Sequence, residues 1–231
     1  MTYAVSDIHG CYDKYKKLLE KLDLKEDDFL YVLGDVVDRG PDGPKILLDM
    51  MSRENVEFLL GNHAESACLI LSKVLDEDGE LALPEAEDAL EAWLWDGGKP
   101  TRDQFYQELT GDDRRELLRY LRNAPQYALL EIGGRKYLLA HSIPEIEDFR
   151  ALGGVRGLDR MDFTFNETDY DICYDPEVIM VSGHSPTGLI NPAYAGRILK
   201  RNNHIAIDCG AVFGYPLGCI CLETGEEIYA E

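Results

Sequence analysis

Five short apolar segments of the sequence each end on a side chain that can bind a metal ion. These side chains are Asp7, Asp35, Asn62, His141 and His184. Asp7 is followed two residues later by His9, and Asn62 is followed directly by His63. Four of the five histidines thus occur at such positions, which argues against a scattered distribution. Because ligands bind at the carboxyl ends of strands in open α/β sheets, these residues are candidates for one shared site.

The types of these side chains indicate which ions the site would take. Carboxylate and amide oxygens combined with imidazole nitrogens suit first-row metals such as Mn, Fe or Zn, and a carboxylate such as Asp35 can bridge two ions. Each residue also has an ordinary alternative, because an Asp after a strand often serves a turn and a lone His is usually only hydrogen-bonded. Their recurrence together favours the metal interpretation.

The pattern of apolar residues predicts the elements that must position these side chains. The predicted order in the first part is strand 3–6, helix 12–22, strand 29–33, helix 44–51 and strand 56–60. Such a β-α-β-α-β order is typical of a sheet covered by helices. Residues 64–123 have a helical, acidic pattern, and we interpret them as a helical insert within one domain of residues 1–231. Later strands are predicted at residues 127–132, 137–140, 178–182, 204–207, 217–222 and 227–229.

Several motifs together resemble one known family. In order they are Asp7-Ile8-His9-Gly10, Gly34-Asp35-Val36-Val37-Asp38-Arg39-Gly40, Gly61-Asn62-His63, Ala140-His141-Ser142, Gly183-His184-Ser185-Pro186 and Ile207-Asp208-Cys209-Gly210-Ala211-Val212-Phe213. They resemble the calcineurin-like metallophosphoesterases and are most similar to the small bacterial and phage Ser/Thr phosphoprotein phosphatases. The resemblance implies an α/β fold, an α+β sandwich of two mixed β-sheets flanked by helices in four layers, with the insert beside it.

The resemblance also implies a centre of two divalent metal ions, with Mn as the first choice and Fe or Zn as alternatives. The implied ligands of the first ion are Asp7, His9 and Asp35. Those of the second ion are Asp35, Asn62, His141 and His184. Two such ions can lower the pKa of a bridging water and clamp the phosphoryl oxygens. The expected reaction is direct attack of the metal-bridging hydroxide on phosphorus, without a phosphoenzyme.

The same resemblance implies roles for residues around the metal ions. His63 would protonate the leaving oxygen, and Asp38 would orient His63. Arg39 would bind the phosphate, because its guanidinium can donate two parallel hydrogen bonds to phosphoryl oxygens. A second catalytic arginine is expected ahead of Gly183, and Arg160 is the choice, with Arg156 as the alternate. The expected substrate-binding residues are therefore Arg39, Asn62 and Arg160.

Three functions remain open from the sequence. The leading hypothesis is a metal-dependent phosphatase that hydrolyses phosphate monoesters, above all phosphoserine and phosphothreonine in proteins. The alternative is a symmetrical diadenosine tetraphosphate hydrolase. Residues 95–101, Trp-Asp-Gly-Gly-Lys-Pro-Thr, resemble that subgroup, whereas Asp38 stands where the subgroup tends to have Ala. A more distant alternative is a metal-binding interaction scaffold that has lost catalysis.

Composition and charge narrow the choice of partners and compartment. The formal net charge of −21 disfavours nucleic acid as a partner, since binding it requires Lys and Arg to neutralise phosphates. A phosphorylated protein or small phosphoester remains compatible, because bound cations reverse the local charge. The sequence contains no long apolar segment and no secretory pattern, so neither a membrane span nor secretion is expected. Six cysteines without a C-x-x-C pair are expected to be reduced, mostly buried thiols of a cytoplasmic protein.

Four further residues have ordinary interpretations. His204 is expected to be structural or exposed, since it only precedes an apolar segment. Asp208 either supports a metal-bound histidine or caps a strand end. Of Trp93 and Trp95, one is expected to be packed and the other partly exposed.

Overall fold

The computed structural model describes residues 1–151, 154, 155, 158 and 161–231, and its strands within these residues form two five-stranded sheets. The strands are β1 (Thr2–Ser6), β2 (Phe29–Leu33), β3 (Val56–Leu59), β4 (Tyr127–Ile132), β5 (Arg135–Ala140), β6 (Val178–Ser182), β7 (Leu199–Arg201), β8 (His204–Ala206), β9 (Leu217–Cys221) and β10 (Glu227–Ala230). The first sheet has the order β10-β9-β1-β2-β3, and the second has the order β4-β5-β6-β8-β7.

Each sheet contains three mutually parallel strands and two antiparallel pairings. In the first sheet β1, β2 and β3 are parallel, whereas β9 pairs antiparallel with both β1 and β10. In the second sheet β5, β6 and β8 are parallel, whereas β4 and β7 are antiparallel. Since parallel strands all end at the same edge, each sheet has one edge at which three loops after strands gather.

The two sheets pack face to face around a shared apolar core. Ala4, Leu33 and Ile220 of the first sheet belong to the same buried cluster as Leu139 and Val181 of the second. The alternation of side chains along each strand sends the next residues to the outer faces, where helices cover them. The core between the sheets thus sets the distance and orientation of the two sheet edges at which these loops lie.

Helices cover both outer faces. They are α1 (Tyr12–Leu22), α2 (Gly43–Met51), α3 (Asn62–Leu69), α4 (Glu87–Trp93), α5 (Lys99–Glu108), α6 (Gly111–Asn123), α7 (Ile146–Ala151) and α8 (Thr187–Ile190). Leu18 of α1 and Ile46 of α2 pack in one cluster with Val5 of β1. Phe149 of α7 packs in another cluster with Leu138 of β5 on the far side of the second sheet. The predicted sandwich of two mixed sheets flanked by helices is therefore confirmed.

The helical segment that we interpret as an insert begins at Asn62, earlier than the predicted residue 64. Strand β3 ends at Leu59, and α3 starts at Asn62, so Asn62 and His63 lie in the first turn of a helix rather than at a strand end. The reason is a contact that the sequence does not reveal. An Asp35 carboxylate oxygen accepts the backbone N–H of His63 at 3.1 Å, and a carboxylate at a helix N-terminus stabilises its first turn.

None of the helices described is long and apolar enough to cross a membrane. The cysteines are free thiols, as predicted: four are buried, Cys11 is half-buried and Cys173 is exposed.

Candidate metal centre

The loops that follow the parallel strands of the two sheets bring the predicted ligands to one place. Asp7 directly follows β1, and His141 directly follows β5. Asp35 and His184 each follow their strand, β2 and β6, after one glycine. Six ionisable residues of this region are almost fully buried: Asp7, His9, Asp35, Asp38, His63 and His141. Burial of so many ionisable groups in one place is costly unless they serve one another or a ligand.

Glycines allow the loops after the strands to come this close. Gly34 has a φ of +79°, and a Cβ at this position would overlap the imidazole of His141. A Cβ at Gly61 would likewise overlap the carboxylate of Asp35. Since only glycine lacks this atom, both residues permit contacts between segments that are distant in the sequence.

The backbone is strained at the site. Nine described residues other than glycine have a positive φ, and six of them are predicted site residues. These six are Asp7, His9, Asp35, Asp38, Arg39 and His184. A positive φ is unfavourable for residues with a Cβ and tends to concentrate at functional sites, where the surrounding structure enforces it.

One group of donor atoms contains His9, Asp35 and His63, whose ligand atoms lie within 4.8 Å of one another. The Nε2 atom of His9 lies 3.8 Å from an Asp35 carboxylate oxygen, and that of His63 lies 4.0 Å from the same oxygen. His9 is oriented by its other nitrogen, Nδ1, which donates to the carbonyl oxygen of Val37 at 2.8 Å. Asp7 belongs to neither of the two groups of donor atoms, but its carboxylate accepts the backbone N–H of His184 at 3.0 Å.

A second group contains Asp35, His141 and His184, and Asn62 joins it. The Nε2 atom of His141 lies 3.2 Å from an Asp35 carboxylate oxygen and 3.1 Å from Nδ1 of His184. The side-chain oxygen of Asn62 lies 2.9 Å from the same His141 nitrogen and 3.2 Å from the His184 nitrogen. Asp35 thus belongs to both groups, in the position that a bridging ligand requires.

The chemistry of the second group fits a cation. His141 donates from Nδ1 to the carbonyl oxygen of Leu33 at 3.0 Å, so in the neutral imidazole its Nε2 presents a lone pair. That lone pair faces the oxygens of Asp35 and Asn62, which are acceptors as well. Converging acceptors repel one another unless a proton or a metal ion lies among them. The residues present therefore fit a metal ion.

The pKa values of these groups follow from their burial and mutual charge. Burial opposes the charged form of His141, but the Asp35 carboxylate outweighs it and raises the pKa of His141 to about 9. Burial would raise the pKa of Asp35, but His141 and His63 hold it well below its ordinary value. Burial and the neighbouring His141 lower the pKa of His184. The metal-free centre thus carries a proton where a cation would bind.

His63 is held by a buried carboxylate. Its Nδ1 lies 2.9 Å from an oxygen of Asp38, which is fully buried. Burial lowers the pKa of His63, but Asp35 and the hydrogen bond to Asp38 overcome this effect and raise it. The Nε2 atom of His63 faces the metal-ligand groups. A histidine supported in this way can deliver a proton from Nε2 to an oxygen near the metal ions.

Arg39 contacts two histidines of the site. One guanidinium nitrogen lies 3.0 Å from Nε2 of His9 and another lies 2.9 Å from Nε2 of His63. The carboxylate of Asp96 lies 3.5 Å from Arg39 and 3.5 Å from His63. The guanidinium also lies 5.8 Å from the centre of the Phe213 ring. Arg39 is thus the positive group nearest the candidate ligands among the contacts described.

The other predicted residues have varied positions. Arg160 and its alternate Arg156 lie outside the described residues. Asp208 accepts the backbone N–H of Gly210 at 2.8 Å, which fits the capping alternative. His204 is buried in β8 and hydrogen-bonds the carbonyl oxygen of Ile172, so it is structural as expected. Trp93 is buried, as predicted for one of the two tryptophans, whereas Trp95 is 90% exposed, which is more than the partial exposure predicted.

Sequence reasoning assigned no role to three residues of the insert that reach the site. Asp96 contacts Arg39 and His63, while Trp93 and Thr101 contact Asp38. The sequence signal that could have identified them is the glycine pair 97–98, which interrupts a helical pattern. Glycines at such an interruption often mark the close approach of another segment of the chain.

Several curated proteins that are similar to this chain have the same name, symmetrical bis(5'-nucleosyl)-tetraphosphatase. A symmetrical bis(5'-nucleosyl)-tetraphosphatase from Buchnera aphidicola subsp. Acyrthosiphon pisum (strain 5A) is 35% identical over 99 residues, covering 41% of this chain and 36% of that protein. One from Erwinia tasmaniensis is 32% identical over 143 residues, covering 61% of this chain and 43% of that protein. The matched segments span less than half the length of these curated relatives.

The fold is shared more widely than the sequence. A protein serine/threonine phosphatase from Saccharomyces cerevisiae superposes with a TM-score of 0.61 at 12% identity, covering 100% of this chain and 79% of that one. The family model of the calcineurin-like phosphoesterases matches residues 2–213, which include all the candidate metal ligands. The chain therefore belongs to the calcineurin-like phosphoesterase family.

Proposed function

We propose that this protein is a metal-dependent phosphohydrolase that cleaves dinucleoside tetraphosphates symmetrically into two nucleoside diphosphates. The similarity to the symmetrical tetraphosphatases supports this substrate. The preference drawn from the sequence alone, for phosphoproteins, becomes the second candidate. Both reactions require the same metal centre, and their substrates differ in the group attached to the phosphate that is attacked.

The observation that carries the proposal is the ring of Phe213 beside Arg39. Phe213 is 61% exposed, although a large aromatic side chain is usually buried. It lines a groove together with Leu189 and Tyr215, both also exposed. An exposed aromatic ring next to a phosphate-binding guanidinium suits a nucleobase that stacks while its phosphates bind.

The residues that would hold two divalent ions are the predicted ones. Asp7, His9 and Asp35 would hold the first, and the second would be held by Asp35, Asn62, His141 and His184. When bound, the ions supply an activated water and neutralise phosphoryl charge. Arg39 would orient the phosphate through two parallel hydrogen bonds, and in doing so it would leave the imidazoles of His9 and His63.

His63 would donate its proton to the oxygen that leaves phosphorus. Asp38 fixes the Nδ1–H tautomer of the neutral ring, and Nε2 is the atom that faces the site. Protonation at Nε2 gives an imidazolium that the Asp38 carboxylate stabilises, so the proton is available near neutral pH.

The second candidate is hydrolysis of phosphate monoesters, including phosphoserine and phosphothreonine. The paired His63 and Asp38 favour it, because an alkoxide is a poor leaving group that needs a proton more than a nucleoside diphosphate does. The family resemblance makes the same point, since Asp38 stands where the tetraphosphatase subgroup tends to have Ala.

A comparison of substrates decides between the candidates. Metal-stripped protein reloaded with Mn²⁺ is assayed with diadenosine tetraphosphate, a phosphoserine peptide and p-nitrophenyl phosphate. We expect the highest kcat/KM on the tetraphosphate. Phe213→Leu should raise KM for the tetraphosphate about tenfold, which corresponds to the loss of one stacking contact. The same variant should leave KM for p-nitrophenyl phosphate unchanged. Phe165→Leu, which changes an exposed ring outside the groove, is the matched control.

Two results would contradict the proposal. A higher kcat/KM on the phosphopeptide would establish the second candidate in its place. Absence of turnover on all three substrates, despite bound metal, would refute both and favour the interaction scaffold.

A further inference from the structure

The buried carboxylate of Asp38 receives hydrogen bonds at both oxygens. One oxygen accepts from Nδ1 of His63 at 2.9 Å and from the indole N–H of Trp93 at 2.9 Å. The other oxygen accepts from the hydroxyl of Thr101 at 2.6 Å. The same hydroxyl accepts the backbone N–H of Asp38 at 2.8 Å. Trp93 and Thr101 therefore account for two of the three side-chain contacts recorded for this carboxylate.

Both residues come from the helical insert and not from the sandwich. Trp93 is the last residue of α4, and Thr101 lies in the first turn of α5. Both side chains are almost fully buried. Two glycines between them allow the approach: a Cβ at Gly98 would overlap the Trp93 indole, and the carbonyl oxygen of Gly97 accepts the backbone N–H of Arg39 at 2.8 Å.

We propose that Trp93 and Thr101 are positioning residues, through which the insert holds Asp38 and thereby aims His63 at the leaving oxygen. The inference rests on the proposed function, because it takes His63 as the proton donor. It gives the insert a role in the chemistry, which neither the motifs nor the metal ligands require.

The hydrogen-bond pattern explains why two donors are needed. A carboxylate held by His63 alone can rotate about its side-chain bonds and carry the imidazole with it. The indole N–H can only donate, so it cannot exchange roles with the imidazole, and it fixes the oxygen that His63 uses. The Thr101 hydroxyl fixes the other oxygen and also the backbone of Asp38, which has an unfavourable φ of +69°.

The consequence depends on the leaving group. Proton donation accelerates a reaction most when the leaving oxygen is strongly basic, and general acid catalysis contributes about 10²–10⁴-fold. Misplacement of His63 should therefore slow a substrate with a basic leaving group far more than one with an acidic leaving group. A structural defect that lowers the amount of folded enzyme slows both equally.

The test compares phenyl phosphate, which has the more basic leaving group, with p-nitrophenyl phosphate in the metal-loaded chain of residues 1–231. Trp93→Phe and Thr101→Val each remove one donor and keep most of the side-chain volume. We expect kcat on phenyl phosphate to fall at least about tenfold further than kcat on p-nitrophenyl phosphate, with KM unchanged. Tyr106→Phe is the matched control, since it removes another hydrogen bond of the insert, from the Tyr106 hydroxyl to the carbonyl oxygen of Asp76.

A spectroscopic readout is independent of turnover. With Zn²⁺, which is diamagnetic, the Nδ1–H proton of His63 is observed by NMR and assigned by its loss in His63→Gln. We expect it to be sharp in the wild-type chain and to broaden or shift in both variants, but not in Tyr106→Phe. The indole N–H of buried Trp93 should exchange slowly with solvent, and that of exposed Trp95 rapidly.

The outcomes separate the inference from the function on which it rests. Equal losses on both aryl phosphates, or an unchanged His63 signal in both variants, would overturn the inference while the proposed function stands. A wild-type chain without turnover would refute the proposed function, and the NMR measurement would then still decide whether Trp93 and Thr101 hold the pair of Asp38 and His63.

Discussion

The carboxylate of Asp35 accepts the backbone N–H of His63, with the oxygen 3.1 Å from the nitrogen. Asp35 follows β2 of the sandwich, and His63 lies in the first turn of α3, at the start of the insert. The residue shared by both groups of candidate ligands thus also anchors the helix that carries His63. Under the proposed function, metal binding and placement of the proton donor His63 would therefore depend on one side chain.

Asp35→Asn should abolish binding of one or both metal ions and nearly all activity. The amide keeps an oxygen for the His63 N–H but loses the negative charge that offsets two cations. We expect the metal content after dialysis to fall from two ions per chain to one or none, as measured by elemental analysis. Asp13→Asn, a change on the surface of α1, should leave it unchanged. Two retained ions would show that Asp35 is not the bridging ligand.

Metal binding should release protons and strengthen as the pH rises. The pKa of His141 is raised from 6.5 to about 9 in the metal-free chain. Below pH 9 the Nε2 atom of His141 is therefore protonated, and a metal ion that binds there must displace this proton. The apparent affinity should then rise up to about tenfold per pH unit below pH 9 and level off above it. Calorimetric titration with Zn²⁺ in buffers of different ionisation enthalpy measures the protons released. An affinity independent of pH over this range would contradict the assignment.

Arg39→Lys should impair phosphate binding although the charge is retained. A lysine cannot donate two parallel hydrogen bonds, and a hydrogen bond to a charged group contributes about 1.5–3 kcal/mol, or roughly 10–100-fold in kcat/KM. The inhibition constant of inorganic phosphate should rise in parallel. Arg53→Lys, at a surface ion pair with Asp49, is the control and should change neither value. Wild-type kinetics in Arg39→Lys would exclude a bidentate role.

Gly98→Ala should destabilise the insert. The added methyl group overlaps the indole of Trp93, and overpacking of this kind costs about 1–3 kcal/mol in the free energy of unfolding. Activity should fall as well, because the indole N–H must move away from Asp38. Chemical denaturation measures the stability. Gly111→Ala, where the new methyl group meets only an arginine side chain at 3.5 Å, should be tolerated. Equal stability of the two variants would show that the insert can absorb the extra atom.

Much of the fold was predictable from local patterns. The apolar segments around Val5, Val32 and Leu139 alternate with helical segments. The spacing of apolar residues that identifies each segment depends only on residues close together in the sequence. The candidate metal ligands were predictable for the same reason, since each lies within three residues after the end of a strand. The start of α3 was predicted two residues too late, because the group that stabilises its first turn, Asp35, is 28 residues away in the chain.

The sequence by itself determined which segments end on side chains that can bind a metal ion and that the chain resembles the calcineurin-like family. Only the tertiary structure decided which oxygens and nitrogens of these side chains lie close together, and that Trp93 and Thr101 meet Asp38 from 55 and 63 residues away. The physical reason is that hydrogen bonds and charges act over a few ångströms of space, whatever the separation along the chain. Contacts between distant segments exist only after both sheets and the insert have packed.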